Sequence, residues 1–547
     1  MKIAIVHGYL LSGTGSNIYV VNLVSGLVDR GHDVFLFCQE PEARRFDFID
    51  ECYDFEADNR RFFSVFSRRG RGPGRARLFR PRIGSILPVY VLDEYAGFDA
   101  REFHRLPQSA IAKYVAANAQ AVRTVSDAFG FDVIQANHLI AQPAIARRAA
   151  ERDGTPYHVT IHGSALNYSV KKDPRLKDLA LYGLEMAASV CASSDFLGEQ
   201  LNEYLTGIEQ PRIEVKTIYP GVELSLFQPS KDRVTPVAAL AQGLRSRPGT
   251  GKNPGLKDAL RAVVRSSDRK RIRTELATQT VYDRRAPDRD LASTLEDIDW
   301  RRERIVVFVG KYLAAKGLHA AILAAPLIVS DLPTTRILAV GFGDRRELFE
   351  ALLTALATGQ GQLVVDLTKT IEADATRAVG GAFLNELRRS GGFNAYLSAA
   401  ARAGLSDKFL FTGPLAHEDL AQLLPAADLL ISPSIFPEAF GMVAVEALAA
   451  GIYPILTDDF GMAEVARLVR AATRDIWPDQ PSLTVSDDFV PDLAGAVIET
   501  LKQPYIHRSD FKKSLRKLAV DRFSWDRVVD DYLRLFIEHR RQVAKGA

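Results

Sequence analysis

Short apolar runs punctuate this chain, each closed by small or polar residues and most followed by residues of helical period. In the first half, Lys2–Gly8, Asp33–Cys38, Asp132–Asn137, Tyr157–Ile161 and shorter stretches near Val190–Ser193 and Glu214–Ile218 predict buried strands. In the second half, Arg304–Val309, Arg336–Val340 and Asp428–Ile431 do the same. Ile18–Val28 predicts a helix, Gly31 closes it, and the first two strands flank it as a βαβ unit. Strands alternating with helices predict parallel sheets covered on both faces. The series occurs twice, so the expected fold is α/β with two Rossmann-like, doubly wound domains. Two stretches interrupt the rhythm. Residues 230–302 are charged, rich in Arg and broken by Pro and Gly, which predicts a linker or a partly helical surface insertion. Residues 345–405 carry helical patterns broken by Gly359, Gly361, Gly380, Gly381, Gly391 and Gly392, which predicts a second insertion.

Composition narrows this picture only a little. A chain of 547 residues exceeds a single hydrophobic core, and 47% apolar residues fit a globular protein. A net charge of +3 points to no class of partner. Cys38, Cys52 and Cys191 are too few for a disulfide framework and lack metal-ligand spacing, which favours a reducing compartment. The opening residues form a strand pattern rather than a signal peptide, and no run approaches 18 apolar residues. The expected location is the cytoplasm, with any membrane contact peripheral at its inner face.

Candidate chemistry clusters in one run, Ser432-Pro433-Ser434-Ile435-Phe436-Pro437-Glu438-Ala439-Phe440-Gly441-Met442-Val443-Ala444-Val445-Glu446. A strand precedes it, and from about Phe440 the pattern turns helical until Gly451. Glu438 then sits in a strand-to-helix loop and Glu446 two turns into the helix, roughly 11 Å along its axis. That separation is too long for a shared proton and suits a long ligand held at two points. Between the two carboxylates, the amides of Gly441, Met442 and Val443 form a helix N-terminus, where free donors and the dipole attract phosphate. The alternative is a helix-start charge plus an exposed Glu.

Other signals are weaker alone. The loop Ser12-Gly13-Thr14-Gly15-Ser16-Asn17 follows the first strand but lacks the dinucleotide fingerprint. Residues 60–82 hold nine Arg and no acid, interleaved with Phe62, Phe63, Phe66 and Phe79. This run reads either as a mobile basic loop greeting an anionic acceptor or lipid surface, or as a solvated charge run. No nucleic-acid motif accompanies it. Gly249-Thr250-Gly251-Lys252-Asn253 lacks the upstream glycine and the Ser/Thr of a phosphate loop. His162 ends a strand beside Gly163; it and His158 lie too far apart to share a metal. Lys311 and Lys316 flank the turn after Arg304–Val309, near a helix start where the dipole disfavours cations without an anionic ligand.

The Ser432–Glu446 run resembles family 4 of the retaining GT-B glycosyltransferases, which carry Glu-x7-Glu in this Pro-Ser…Glu-x-Phe-Gly…Glu-Ala setting. Further segments share the resemblance: the glycine loop at Gly13, Thr14 and Gly15; Thr160-Ile161-His162; Tyr219-Pro220-Gly221-Val222…Phe227-Gln228-Pro229; Gly310-Lys311…Lys316-Gly317; Phe409–Leu415; Tyr453–Glu464; and the terminal Phe523-Ser524-Trp525 helix. It departs from the family at Lys311, where Arg is usual and only a point charge remains, and at Phe460, which replaces the first of two glycines. The resemblance implies an acceptor-side domain over 1–229, a linker or insertion over 230–302, a donor-binding domain over 303–515 and a terminal helix over 516–547 that returns to the first domain. The two domains would face each other across a cleft.

It also implies a nucleoside-diphosphate sugar as co-substrate and a hydroxyl acceptor, with no metal. Lys311 and Lys316 would bind the diphosphate, Glu446 the ribose, backbone near Leu415 the base, and Glu438 and His162 the transferred sugar. A phosphorylase- or epimerase-like enzyme, or a catalytically idle scaffold, are the alternatives.

Overall fold

A computed structural model describes all 547 residues except 14, 69, 71, 92–94, 96, 206–211, 248, 267–270, 273, 275, 277–281 and 547. They form two compact units, Met1–Gly221 with Phe523–Ala547, and Val222–Arg522.

The first unit is built on a nine-stranded sheet. Its spatial order is Val215–Thr217, Ser189–Ala192, Tyr157–Ile161, Val133–Asn137, Lys2–Val6, Asp33–Phe37, Arg75–Arg80, Ile49–Phe55 and Phe62–Ser67. All neighbours pair in parallel except the last two, which form an antiparallel edge. Parallel strands need both faces covered. Helix Gly15–Asp29 covers one face with Val20, Leu23, Val24 and Leu27, all fully buried. The terminal helix Trp525–Gly546 belongs to this unit: Tyr19 donates from its hydroxyl to Tyr532 at 2.6 Å, and Thr160 Oγ1 lies 2.5 Å from the same Tyr532 oxygen.

The arginine run differs from both readings of the sequence. Its described residues do not form a basic loop. They form the strands Phe62–Ser67 and Arg75–Arg80, and several guanidinium groups are consumed by the fold. Arg68 donates to the carbonyls of Ile49, Arg44 and Phe46, Arg77 pairs with Glu51, Arg80 forks onto Asp54, and Arg82 reaches the Phe55 carbonyl. In Arg75–Arg80 the apolar Ala76 and Leu78 point inward while Arg75 and Arg77 point outward, the period of a strand. Arg68, Arg77, Arg80 and Arg82 are thus engaged within the sheet. No helix among the described residues is long and apolar enough to cross a membrane.

The second unit carries a five-stranded parallel sheet in the order Phe409–Gly413, Thr335–Val340, Arg304–Val309, Leu429–Ser432 and Tyr453–Leu456. The order reverses direction between Arg304–Val309 and Leu429–Ser432. Open α/β sheets bind ligands outside the carboxyl ends of the strands at such a switch point. The second insertion supplies four helices, Arg346–Ala357, Gly361–Ile371, Val379–Arg389 and Phe393–Arg402, which bury Phe349, Leu352, Val364 and Tyr396.

The stretch expected as a linker or partly helical surface insertion, 230–302, is partly helical among its described residues but packs into the unit rather than lying on its surface. It contributes helices Val234–Ser246, Pro254–Arg265 and Leu291–Glu296 to the core of this unit. The segment dismissed as a false phosphate loop has a structural task. Asn253 caps helix Pro254–Arg265 by accepting from the Leu256 amide at 3.0 Å, and Pro254 takes the first helical position. Lys252 has no exposed surface. It donates to Glu350 at 2.5 Å and lies 3.4 Å from Glu347.

Arg346 forks onto Asp288 at 2.7 and 2.6 Å and reaches Glu350 at 2.7 Å. Burial would raise the Glu350 carboxyl, but Arg346 and Lys252 outweigh it and hold the group down at about 2. The Asp288 amide donates to the Thr412 carbonyl at 2.9 Å. A Cβ on Gly413 would stand 2.9 Å from the Ala286 carbonyl, so the insertion touches the end of strand Phe409–Gly413 backbone to backbone. Beside that strand, Pro254, Lys257 and Arg261 of the insertion helix and Phe409, Leu410 and Phe411 line a cavity of about 450 Å³.

Candidate active site

In the second unit, the strand-to-helix run lies at the switch point. Strand Leu429–Ser432 ends in the loop, Gly441 occupies the N-cap, and helix Met442–Ala449 follows. The first-turn amides of such a helix have no acceptor within it, so Met442 and Val443 present donors at the sheet's carboxyl edge. Across the loop, strand Arg304–Val309 leads through Gly310 and Lys311 to a short turn, Ala314–Lys316, and helix Leu318–Asp331.

The two segments are locked together. The Ile435 amide donates to the Ala315 carbonyl at 3.0 Å, and Ser434 Oγ lies 2.9 Å from the same carbonyl oxygen. Gly317 holds φ +71° and a Cβ there would lie 1.8 Å from the Pro433 carbonyl oxygen, so only glycine fits between the strand ends.

That lock brings two predicted residues into contact. Lys316 Nζ donates to Glu438 Oε1, and Ser434 Oγ sits 3.0 Å from the same carboxylate oxygen. Both side chains remain partly exposed, at 34% and 18%. Lys311 is exposed on the same strand end, its Nζ 5.7 Å from the Phe342 ring centre. Ser434 was missed in the sequence, where it reads as an ordinary loop residue; its role emerges only from the approach of Ala315.

Glu446 is placed differently. It is 6% exposed, and burial pushes its carboxyl from 4.5 up to about 8. His417 Nδ1 approaches to 3.8 Å, but burial keeps that imidazole neutral below its usual range, so it supplies no compensating charge. His417 begins the helix His417–Leu423 two residues beyond Leu415, which puts the Leu415 loop beside Glu446. Nothing in the sequence singled out His417.

The loop after strand Tyr453–Leu456 closes on the same run. The Gly461 amide donates to the Glu438 carbonyl at 2.9 Å, and a Cβ on Gly461 would lie 2.2 Å from the Ala439 carbonyl oxygen. Phe460, where the resemblance leads one to expect glycine, adopts φ +60°. A left-handed backbone costs a residue with a Cβ roughly 1–2 kcal/mol. Two of the second insertion's residues reach this neighbourhood: Thr376 donates to the Ile435 carbonyl at 3.3 Å and Arg377 to the Val485 carbonyl at 3.1 Å.

In the first unit, Gly13 holds φ +104° in open space, Gly15 starts helix Gly15–Asp29, and Thr14 lies outside the described residues. Behind this loop, His7 Nε2 donates to the Leu10 carbonyl at 2.9 Å and to Asn17 Oδ1 at 3.1 Å, which fixes its tautomer. His162 caps the end of strand Tyr157–Ile161. Its ring packs edge-on between Tyr19 at 5.1 Å and His138 at 4.8 Å, with Nε2 3.5 Å from Asn137 Oδ1. Burial, reinforced by His7, lowers it to about 3, so His162 is a neutral hydrogen-bonding group across the physiological range. Among the described residues no cluster of three His, Cys, Asp or Glu side chains has metal-holding geometry.

Comparison with known proteins adds an independent line. Residues 377–471 match the family described as glycosyl transferases group 1, and residues 14–217 match the glycosyl transferase 4-like domain. An uncharacterized glycosyltransferase of Methanocaldococcus jannaschii is 21% identical over 248 residues, 44% of this chain and 48% of that one. A D-inositol 3-phosphate glycosyltransferase of Salinispora arenicola is 33% identical over 142 residues, 26% of this chain and 29% of its own length. The chain therefore spans about half or less of the length of these relatives. Among solved structures, Anabaena HepE in complex with UDP-glucose matches with a TM-score of 0.51 at 15% identity, over 100% of both chains.

Proposed function

The chain belongs to the group 1 glycosyltransferases of GT-B architecture, and we propose that it moves a sugar from a nucleoside-diphosphate donor to a hydroxyl acceptor with retention at the anomeric carbon. The observation that carries this reading is the Lys316–Glu438 pair at the switch point, one step from an open helix N-terminus. A cation and a carboxylate held together at the rim of a ligand crevice are arranged for exchange. An incoming diphosphate competes for Lys316, and the carboxylate it releases turns to the sugar hydroxyls. HepE, named as a complex with UDP-glucose, supports a nucleotide sugar as the donor.

Each residue then has a role that follows from its surroundings. As the bond from the anomeric carbon to phosphate breaks, negative charge gathers on the diphosphate. Lys311, Lys316 and the amides of Gly441, Met442 and Val443 stabilise it without reorganising. Glu446 accepts from the ribose hydroxyls, and backbone near Leu415 meets the base. Glu438 holds the sugar and steadies positive charge at the anomeric carbon.

The acceptor's O–H bond breaks as its oxygen bonds to that carbon on the face the diphosphate leaves. The departing phosphate oxygen takes the proton. The end of the first unit's sheet, at Gly13, Gly15 and His162, is the acceptor side. Its histidines are neutral, so His162 orients hydroxyls rather than delivering a proton.

Thermal shifts with UDP, GDP and ADP test the donor site. A nucleotide at a hundred times its Kd stabilises the fold by about 2.7 kcal/mol. A hydrolysis screen over UDP-glucose, UDP-GlcNAc and GDP-mannose then identifies the sugar. No stabilisation by any of the three nucleotides would favour an idle scaffold and overturn the reading.

A further inference from the structure

Phe460 stands in a loop clamped on both flanks. Before it, Asp458 is held through its carboxylate by Arg470 at 2.7 Å and Ser482 at 2.5 Å, and its amide donates to the Leu483 carbonyl at 2.6 Å. The next carboxylate, Asp459, accepts from the Val485 amide at 2.7 Å. After it, Gly461 is pressed against the backbone of Glu438 and Ala439, and helix Met462–Thr473 begins. These contacts over-determine the backbone at Phe460 and force its left-handed φ of +60°.

Glycine adopts this conformation freely, and the neighbouring position is itself glycine because no Cβ fits there. At Phe460 the chain instead carries a large, half-buried aromatic side chain in a conformation that L-residues avoid. Its Cα is one residue from the amide that holds the Glu438 carbonyl. The clamps thus fix a bulky apolar residue next to the backbone of Glu438, the residue whose carboxylate is assigned to the transferred sugar. Sugar rings have an apolar C–H face as well as hydroxyls, and a rigid aromatic ring complements it at little entropic cost.

We propose that Phe460 is a specificity-determining residue that forms one wall of the sugar subsite and favours the sugar-bearing donor over the bare nucleotide. This rests on the donor-site reading above.

Calorimetric titration of the full chain with UDP and UDP-glucose, or GDP and GDP-mannose if only that pair binds, gives the ratio of the two affinities. In Phe460→Gly the preference for the sugar nucleotide should fall about fivefold while bare-nucleotide affinity holds within about twofold. The Tm should match or exceed that of the parent chain, because glycine relieves the backbone. Phe460→Tyr keeps the ring and should restore the ratio. Phe460→Asn, which tolerates the left-handed region without an aromatic ring, decides the matter if the glycine variant misfolds: a lowered ratio supports the proposal. An unchanged ratio in the Gly and Asn variants, with the parent chain binding both ligands, overturns the proposal and leaves the donor site intact. If the thermal shifts single out ADP, the same ratio is read with ADP and ADP-glucose, and a parent chain that binds none of the three pairs overturns both.

Discussion

With Glu446 assigned to the ribose, the proposed donor site acquires a pH dependence that can be calculated. Its carboxyl moves from an ordinary 4.5 to about 8 because it is buried without a charged partner. The folded state therefore holds this proton more tightly than the unfolded chain does. Stability from the group is full below about pH 4.5 and is lost as pH rises through 8, a difference on the order of 5 kcal/mol. Accepting from both ribose hydroxyls at once takes two acceptor oxygens, which only the ionised carboxylate offers, so nucleotide binding should expel the proton.

With a bound-state value well below 6, the Kd should rise about fiftyfold between pH 8 and pH 6, approaching tenfold per unit. Binding at pH 7 should release about 0.9 proton, measured by calorimetry in buffers of different ionisation heat. Glu446→Gln is the control. Compared at the same pH, the nucleotide's own phosphate ionisation cancels, and the variant should bind weakly with neither the slope nor the proton release. It should also have a higher Tm than the parent chain above pH 7 and a similar one near pH 4.5. Equal pH slopes in the two proteins would refute the assignment of Glu446 to the ribose.

Four further substitutions probe other contacts. Lys316→Ala should lower kcat about 100- to 1000-fold and weaken UDP binding, whereas Glu438→Gln frees Lys316 and should lower kcat while leaving UDP affinity equal or tighter. Identical effects of the two on calorimetric UDP binding would contradict the exchange of partners. Gly317→Ala drives a Cβ into the Pro433 carbonyl at 1.8 Å and should destabilise the fold by more than about 2 kcal/mol in urea denaturation. Lys252→Met removes one of the two cations on Glu350 and the cation nearest Glu347, and should cost about 3 kcal/mol by the same assay.

The second unit's strand ends were legible because each is an apolar run closed by glycine or proline: Arg304–Val309 was anticipated to the residue, and Thr335–Val340 and Leu429–Ser432 to within one. The Lys316–Glu438 contact could be anticipated only as shared membership of one site, since it depends on Gly317 meeting Pro433 over 100 residues away in sequence. Strands Ile49–Phe55, Phe62–Ser67 and Arg75–Arg80 were missed because charge drew attention away from period. Arg75-Ala76-Arg77-Leu78 alternates as a strand should, and its cations find acids on the neighbouring strand that no local window contains. The burial of Lys252 was not legible for a related reason. A lone lysine beside glycines looks solvated until Glu347 and Glu350, nearly a hundred residues on, enclose it. Histidine 417 and Ser434 matter only through neighbours supplied by tertiary structure.

Strand Phe409–Gly413 is the outermost of its sheet, and a bare outer strand recruits other polypeptides. Helix Pro254–Arg265 stands beside it, anchored by Lys252 and by the Asp288–Thr412 contact. The described part of the insertion thus stands against that outer edge. A version of the second unit lacking residues 249–290 should expose more of Phe409, Leu410 and Phe411 and run as larger species in size-exclusion chromatography.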